Sequence, residues 1–383
     1  MNNPDTNNGS VAERPKIAAS RRWVIKIGSA LTTKHGMGLN TEAIEDWAAQ
    51  MVALKQRGYD IVVVTSGSIA EGAMRLGWDV RPHSIHELQA AAAVGQMGMV
   101  RAWERAYEKF DMRAAQILLT HEDLANRRRY LNSRSTLRTL LELGVFPVIN
   151  ENDTVATDEI RFGDNDTLAG LVSNLIDADT LVILTDQEGL MTADPRHDPN
   201  ATLIANAKPD DELIDDIAGD GGAWGRGGMR TKLAAARLAA RSATSTIIAS
   251  GFRVEVLLDI AVGKNVGTLL AASDAKLAAR KQWLASTLIA KGQLVLDGGA
   301  CKVIRDDGRS LLAVGVVRVV GEFERGELVT CVDEHGREVA KGLVNYDASE
   351  AAQICGQSTQ RIESILGYAR EPELIHRDSL VIV

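Results

Sequence analysis

Short, continuously apolar runs alternate with segments whose apolar residues recur at helical spacing. Six runs read as strands: Arg22–Ile27 (RWVIKI), Asp60–Thr65 (DIVVVT), Ala115–Thr120 (AQILLT), Val145–Asn150 (VFPVIN), Thr180–Thr185 (TLVILT) and Ser245–Ala249 (STIIA). They do not alternate apolar with polar residues, which suits strands of a parallel sheet covered on both faces. The helices between them have legible ends. Asn40 suits an N-cap for a helix that places Ile44, Trp47, Ala48, Met51 and Leu54 on one face, and Gly58 suits its stop. Ser84 and Glu87 have the spacing of a capping box ahead of an Ala-rich helix. A further helix is expected over Thr231–Ala243. Strand–helix alternation across the first 260 or so residues predicts an α/β fold, an open, mostly parallel sheet sandwiched by helices with right-handed crossovers.

The pattern changes near Gly263. Residues 271–290 read as a helical linker, and from Gly292 onward short β-like runs are broken by DGG, DDGR and DEHG turns. The expected organisation is a flexible leader over 1–20, a catalytic domain over 21–270, the linker over 271–290, a small β-rich domain over 291–370 and a C-terminal tail over 371–383. A length of 383 residues agrees with two or three domains at ~150 residues each.

Composition narrows the class. With 45% hydrophobic and 25% charged residues, the chain can bury an ordinary core, which excludes a wholly disordered or collagen-like protein. The net charge of −8 lacks the basic footprint of a nucleic-acid-binding protein. From Lys291 onward 11 basic residues face 15 acidic ones, so the β-rich part is acidic as well. Cys301, Cys331 and Cys355 form no CxxC pair and leave an odd thiol in any disulfide scheme, which suits a reducing cytosol. The leader has no apolar signal-type stretch, and no run approaches the ~18 residues of a membrane span. A cytoplasmic protein with no membrane contact is expected.

In an open α/β sheet, ligands bind beyond the carboxyl ends of the strands. There the sequence sets Lys26-Ile27-Gly28-Ser29, Ser66-Gly67-Ser68, Asn150-Glu151-Asn152-Asp153 and Asp186, so small, polar and charged residues converge from four strands. The loop Gly225–Lys232 is glycine-rich and runs into a helix, where backbone N–H groups can approach a phosphate. Lys232, and Lys26 from the other side, add full charges suited to phosphoryl transfer.

Blander readings stand beside these. The glycine loop could be a turn, Lys26 a solvated strand tip, and Gly163–Asp166 an Asx turn capping a helix. The loop is not a Walker motif, because Thr231 rather than Gly precedes the lysine. The stretch Val64–Gly67 lacks the leading Gly of a nucleophile elbow, and the Asp-rich turns lack the ligand spacing of an EF-hand. His83 and His86 have no carboxylate or cysteine cluster that would argue for zinc. Met97 and Met99 read as core.

Taken together, Val24–Ser29, Val64–Ile69, Val148–Asp153, Gly163–Asp166 and Leu184–Asp186 resemble the amino-acid kinase family, in the family's order. The wording INEND (Ile149–Asp153), GDND (Gly163–Asp166), TADP (Thr192–Pro195) and GGM.TK (Gly227–Lys232) is similar to the members that phosphorylate free glutamate, as is Arg280–Trp283. The part after Lys291 resembles a PUA domain.

The resemblance implies ATP-dependent phosphorylation of the γ-carboxylate of L-glutamate, the first step of proline biosynthesis. It implies ATP with Mg²⁺ as cofactor and names no metal ligand. By motif, Lys26 and Lys232 would flank the moving phosphoryl group with Asp166 holding them. Ser66 and Gly67 would meet the substrate carboxylates, and Asp153 and Asn165 its amino group and backbone end. Thr185, Asp186 and the loop Arg226, Gly227, Gly228, Met229, Arg230, Thr231 and Lys232 would bind the nucleotide together with Lys26. A homo-oligomer (dimer or tetramer), handover of the product to a glutamyl phosphate reductase and feedback inhibition by proline are implied likewise. Two other functions stay open at this point: a kinase of the same fold acting on acetylglutamate, aspartate, carbamate or a nucleotide monophosphate, and an RNA-binding role for the C-terminal part. The acidic balance of that part argues against the second.

Overall fold

The structure is a computed structural model that describes residues 14–34, 36–156, 165–194, 198–211, 214, 217, 228–272, 290–368 and 371–382. The expected linker over 271–290, the segments Gly163–Asp164 and Arg226–Gly227, Pro195 and Arg280–Trp283 lie largely or wholly outside them. Contacts divide the chain into two units, one built mainly from the residues before 277 and the other from those after.

The first unit starts with helix α1 (Arg14–Ala19), where the sequence suggested a leader without structure. Arg14 explains its order. The buried guanidinium donates to the carbonyls of Ala205, Lys264, Val266 and Gly267, a set of backbone acceptors that no pattern of apolar spacing reveals.

The elements then run β1 (Arg22–Ile27), α2 (Ser29–Thr32), β2 (Thr33–Lys34), β3 (Met37–Leu39), α3 (Thr41–Gln56) and β4 (Asp60–Val64). They continue with α4 (Ser68–Arg75), α5 (Ile85–Glu108), β5 (Ala114–Leu119), α6 (His121–Ala125), α7 (Arg127–Glu142) and β6 (Phe146–Glu151). After these come α8 (Asn165–Leu175), β7 (Thr180–Thr185), β8 (Asn206–Ala207), α9 (Met229–Ala240), β9 (Ser245–Ser250), α10 (Val256–Ala261) and β10 (Thr268–Leu270).

The main sheet has the order β5-β6-β4-β1-β7-β9-β10-β8. It is parallel except where β10 meets β9. All six expected strands are present. β4, β6 and β7 are buried nearly throughout, whereas β5 is only half-buried because it forms the edge. The chain passes from β1 to β4, then to β5 at the edge, comes back inward with β6 between β5 and β4, and crosses to β7 on the other flank of β1. The crevice between β1 and β7 is thus a topological switch point, where an open sheet accepts ligands.

Trp23, Trp47, Trp103, Tyr107 and Phe146 fill the core beneath this sheet, with Tyr107 stacked on Phe146 at 4.2 Å between ring centroids. Asn40 does cap α3, its side chain accepting from the Ala43 amide, and the five expected apolar residues are buried. Ser84 precedes α5 but makes no side-chain cap, so the capping-box reading fails there. Met99 is core as expected. Met97, two residues away on α5, faces outward at 68% exposure, because i and i+2 lie on different sides of a helix.

Helices α4 and α5 pack backbone to backbone. A Cβ on Gly72 would lie 1.7 Å from the Ala91 carbonyl oxygen, and one on Gly95 would lie 1.8 Å from the Ser68 carbonyl oxygen. Only hydrogen fits at these crossings, so α4, which opens directly beyond β4, is held at a fixed height over α5.

The second unit contains β11 (Gly292–Leu296), α11 (Gly298–Asp307), β12 (Val316–Gly321), β13 (Leu328–Asp333), β14 (Glu338–Leu343), α12 (Ala348–Ile354), α13 (Ile362–Leu366) and β15 (Leu380–Ile382). Its sheet order is β12-β11-β13-β14-β15, over a core that includes Leu294, Ile304, Val339 and Tyr346. The expected DGG turn is instead the start of a helix: Asp297 caps α11 by accepting from the Ala300 amide at 2.6 Å. Asp347 and Glu350 form the capping box of α12. The segment expected as a tail supplies β15, which pairs with β14.

Replacing Gly95 by Ala is expected to cost about 1–3 kcal/mol in urea unfolding, the usual penalty for overpacking. A wild-type midpoint for that variant would show that α4 can lift away from α5.

Candidate functional site

β1 brings Lys26 to its carboxyl end, and α9 brings Lys232 in its first turn. Between them lies Asp166, at the start of α8. Lys26 Nζ is 2.7 Å from Asp166 Oδ1, and Lys232 Nζ is 3.1 Å from Oδ2. The hydroxyl of Thr231 donates to Oδ2 as well, at 2.7 Å. Asp166 is 1% exposed and each lysine 6%, so neither lysine is the solvated tip that a strand end or a loop would allow. Burial by itself would raise the Asp166 pKa, but the two ammonium groups and the hydrogen bonds from Lys26 and Thr231 prevail and hold the carboxyl well below the ordinary carboxylate range. Among the described residues these three buried charges sum to +1.

The helix behind Lys232 has Gly228 as its N-cap, a residue with no side chain to cap the first N–H groups. Thr185 closes β7 with its hydroxyl donating to Asp186 Oδ1 at 3.1 Å. Gly28 ties β1 to β7 through its amide and the Leu184 carbonyl. Thr185, Asp186, Gly228, Met229, Arg230 and Thr231 thus lie on the elements that border the lysine pair, with Arg230 exposed; Arg226 and Gly227 lie outside the described residues.

A second group of residues occupies the ends of β4 and β6. Gly67 adopts φ +114°, and a Cβ there would be 2.8 Å from Thr32 Oγ1, so this turn requires glycine. Its neighbour Ser66 accepts from Asn165 Nδ2 at 2.8 Å. Asn165 Nδ2 also lies 2.6 Å from the Thr65 carbonyl oxygen and 2.8 Å from Asn150 Oδ1, so its two hydrogens are shared among three acceptors. A backbone carbonyl can only accept, so the Thr65 contact fixes which end of the Asn165 amide is nitrogen. What remains for a ligand is Asn165 Oδ1, an acceptor.

Asp153, just past β6, offers a second acceptor, with its Oδ2 taking a hydrogen bond from Ser68 at 3.2 Å. Burial first, and the neighbouring carboxylate of Glu151 second, push its pKa up to about 7, against the opposing Ser68 hydrogen bond and the charge of Arg81. Glu151 is 3% exposed and lies 3.6 Å from His121 Nδ1. Neither Ser68, Gln96, Asn150 nor Glu151 was singled out for a role from the sequence. Asn150 and Glu151 lie within INEND and Ser68 beside Gly67, among the residues expected at the strand ends, whereas Gln96, one helix away, has no signal until the strands are aligned.

Among the described residues no group of three or more His, Cys, Asp and Glu side chains could hold a metal ion. Both oxygens of Asp166, the best-placed buried anion, are already taken by the two lysines and Thr231. Among the described residues, too, no helix is long and apolar enough to cross a membrane.

The chain is similar to known proteins over nearly its whole length. Residues 21–250 match the model of the amino acid kinase family, and residues 292–366 match that of the PUA domain. The chain is 60% identical over 372 residues to a glutamate 5-kinase of Chromohalobacter salexigens, covering 97% of this chain and 98% of that one. It is 59% identical over 371 residues to a glutamate 5-kinase of Ectopseudomonas mendocina, covering 97% of this chain and the whole of that one. A solved UMP kinase from Bacillus anthracis is similar at 18% identity with a TM-score of 0.48, covering 66% of this chain and 97% of that chain. The chain belongs to the amino acid kinase family, and within it groups with the glutamate 5-kinases.

Replacing Asp166 by Asn leaves two buried ammonium groups facing a neutral amide, and is expected to destabilise the fold by about 3–5 kcal/mol at pH 7. Because the folded-state pKa is depressed, this stabilisation is present above the ordinary carboxylate pKa and is lost as the pH falls through lower values. The gap between wild type and Asp166→Asn in urea unfolding should therefore narrow below about pH 4; a constant gap would mean that the charge is not its source.

Proposed function

We propose that the chain transfers the γ-phosphoryl group of ATP to the γ-carboxylate of L-glutamate. The observation that carries this reading is the buried carboxylate of Asp166 holding Lys26 and Lys232 on its two oxygens. The reaction must bring a carboxylate against a phosphoryl group, two anions that repel. At 4 Å and an effective dielectric of 20, each lysine–phosphoryl contact is on the order of 4 kcal/mol before desolvation. The bond between the γ-phosphorus and the bridging oxygen breaks, a carboxylate oxygen forms the new bond to phosphorus, and ADP leaves with the electron pair. The nucleophile is already ionised at neutral pH, so no general base is needed, in keeping with a site built from lysines. Asp166 touches no reacting atom in this scheme; it fixes where the two ammonium groups point.

Ser66 and Gly67 would receive the substrate's carboxylates, while Asn165 Oδ1 and Asp153 form an acceptor pair suited to its ammonium group. The uncapped start of α9, with Thr185 and Asp186 across the crevice, would hold the nucleotide. Mg²⁺ would arrive on the nucleotide's own phosphates and help to neutralise them. Names of relatives support glutamate over other acceptors. The homo-oligomer, the reductase that takes the acyl phosphate and inhibition by proline rest on the family resemblance.

With ATP, glutamate and hydroxylamine, the acyl phosphate should be trapped as a hydroxamate, and aspartate or acetylglutamate should give little. Preference for either control would overturn the choice of substrate. Replacing Lys232 by Ala is expected to lower kcat about 10²-fold or more. Its melting temperature should fall less than that of Asp166→Asn, because Lys26 still pairs with the carboxylate. Asp153 must be ionised to hold an ammonium group, so the glutamate KM should fall as the pH rises from 6 to 8, through its pKa of about 7. Asp153→Asn should raise that KM and flatten its pH profile; an unchanged profile would remove Asp153 from amino-group binding.

A further inference from the structure

Gln96 stands on α5, outside every motif that pointed to the site. Its Oε1 accepts from Asn150 Nδ2 at 2.7 Å. Asn150 is 1% exposed, and its own Oδ1 accepts from Asn165. The polarity of this chain is forced from one end. The Thr65 carbonyl can only accept, so the Asn165 nitrogen faces it and donates on to Asn150 Oδ1. Asn150 must then turn its nitrogen outward, and it needs an acceptor there. Gln96 supplies that acceptor, with Ser68 Oγ as a weaker second at 3.3 Å. Seven residues earlier on the same helix, Gln89 donates to the carbonyl of Ala156 at 3.1 Å. Two glutamines two turns apart therefore fasten both ends of the segment 150–156 that carries Asp153.

We propose that Gln96 is a positioning residue for the amino-acid substrate. By fixing the orientation of the Asn150 amide it keeps Asn165 Oδ1 available as an acceptor for the substrate's ammonium group. Without it, Asn150 loses its main partner and can present its nitrogen to that of Asn165, two donors facing each other. Gln96 touches neither the lysine pair nor the nucleotide side, so the effect belongs to glutamate alone. The inference rests on the functional reading above.

The test is steady-state kinetics of Gln96→Met, alone and combined with Asn150→Ala, beside the wild type. Gln96→Met keeps the length and removes the acceptor. The glutamate KM is expected to rise about tenfold, the loss of one buried hydrogen bond, with the ATP KM and kcat within about twofold of wild type. In the Asn150→Ala background the same change should alter the glutamate KM by less than about twofold, because the residue it acts through is gone. Should Gln96→Met fail to fold, Gln96→Asn, one methylene shorter, carries the same comparison. An unchanged glutamate KM, equal losses for both substrates, or full additivity with Asn150→Ala would each overturn the proposal. A wild type without glutamate-dependent turnover would instead overturn the functional reading, which keeps the two failures apart.

Discussion

One buried carboxylate ties together the strand and helix ends at the switch point of the sheet. Asp166 reaches Lys26 from the central strand and Lys232 from a helix that follows it in the chain by more than sixty residues. Burial penalises a charged ammonium group, and both lysines are answered by the same buried carboxylate. In the proposed reaction the switch point between β1 and β7 provides the place, and Asp166 sets there the two positive charges that would receive a phosphoryl group.

The substrate end follows a different rule. There the side chains are neutral amides and hydroxyls, linked so that each donor finds an acceptor, from the Thr65 carbonyl through Asn165 and Asn150 to Gln96. In the proposed reading its titratable group for the substrate's ammonium is Asp153, and burial beside Glu151 makes ionising that group costly. A carboxyl whose pKa is raised in the folded state lends its stabilisation at low pH and loses it as the pH passes about 7. The site therefore holds Asp153 against the preference of the fold, as sites that recognise charge often must. The glycine crossings of α4 and α5 matter here for the same reason, since Ser68 and Gln96, from those two helices, set the geometry of that segment.

The strands and the capped helix after Asn40 were legible because each depends on neighbours in the sequence. The charged residues Lys26 and Asp166 stood out for the same reason, since their motifs lie at the ends of predicted elements. What was misread depends on distant partners. The leader has helix α1 because Arg14 finds four carbonyls some two hundred residues away. The segment after 370 is an edge strand because β14 has a free side for it. The sequence sets Lys232 where the glycine loop runs into the expected helix, and only the structure shows α9 starting at Met229 and turning that side chain onto Asp166.

The amino-acid sequence determined the parallel sheet, the β-rich second unit and the residue types that a phosphoryl transfer between two anions demands, since these follow from local spacing and from the chemistry of each side chain. Only the tertiary structure decided that Lys26 and Lys232 share one counter-ion, that Asn165 is left with an acceptor to offer, and that Gln96 takes part at all. Those are facts of direction and distance between residues far apart in the chain, and no one-dimensional pattern encodes them.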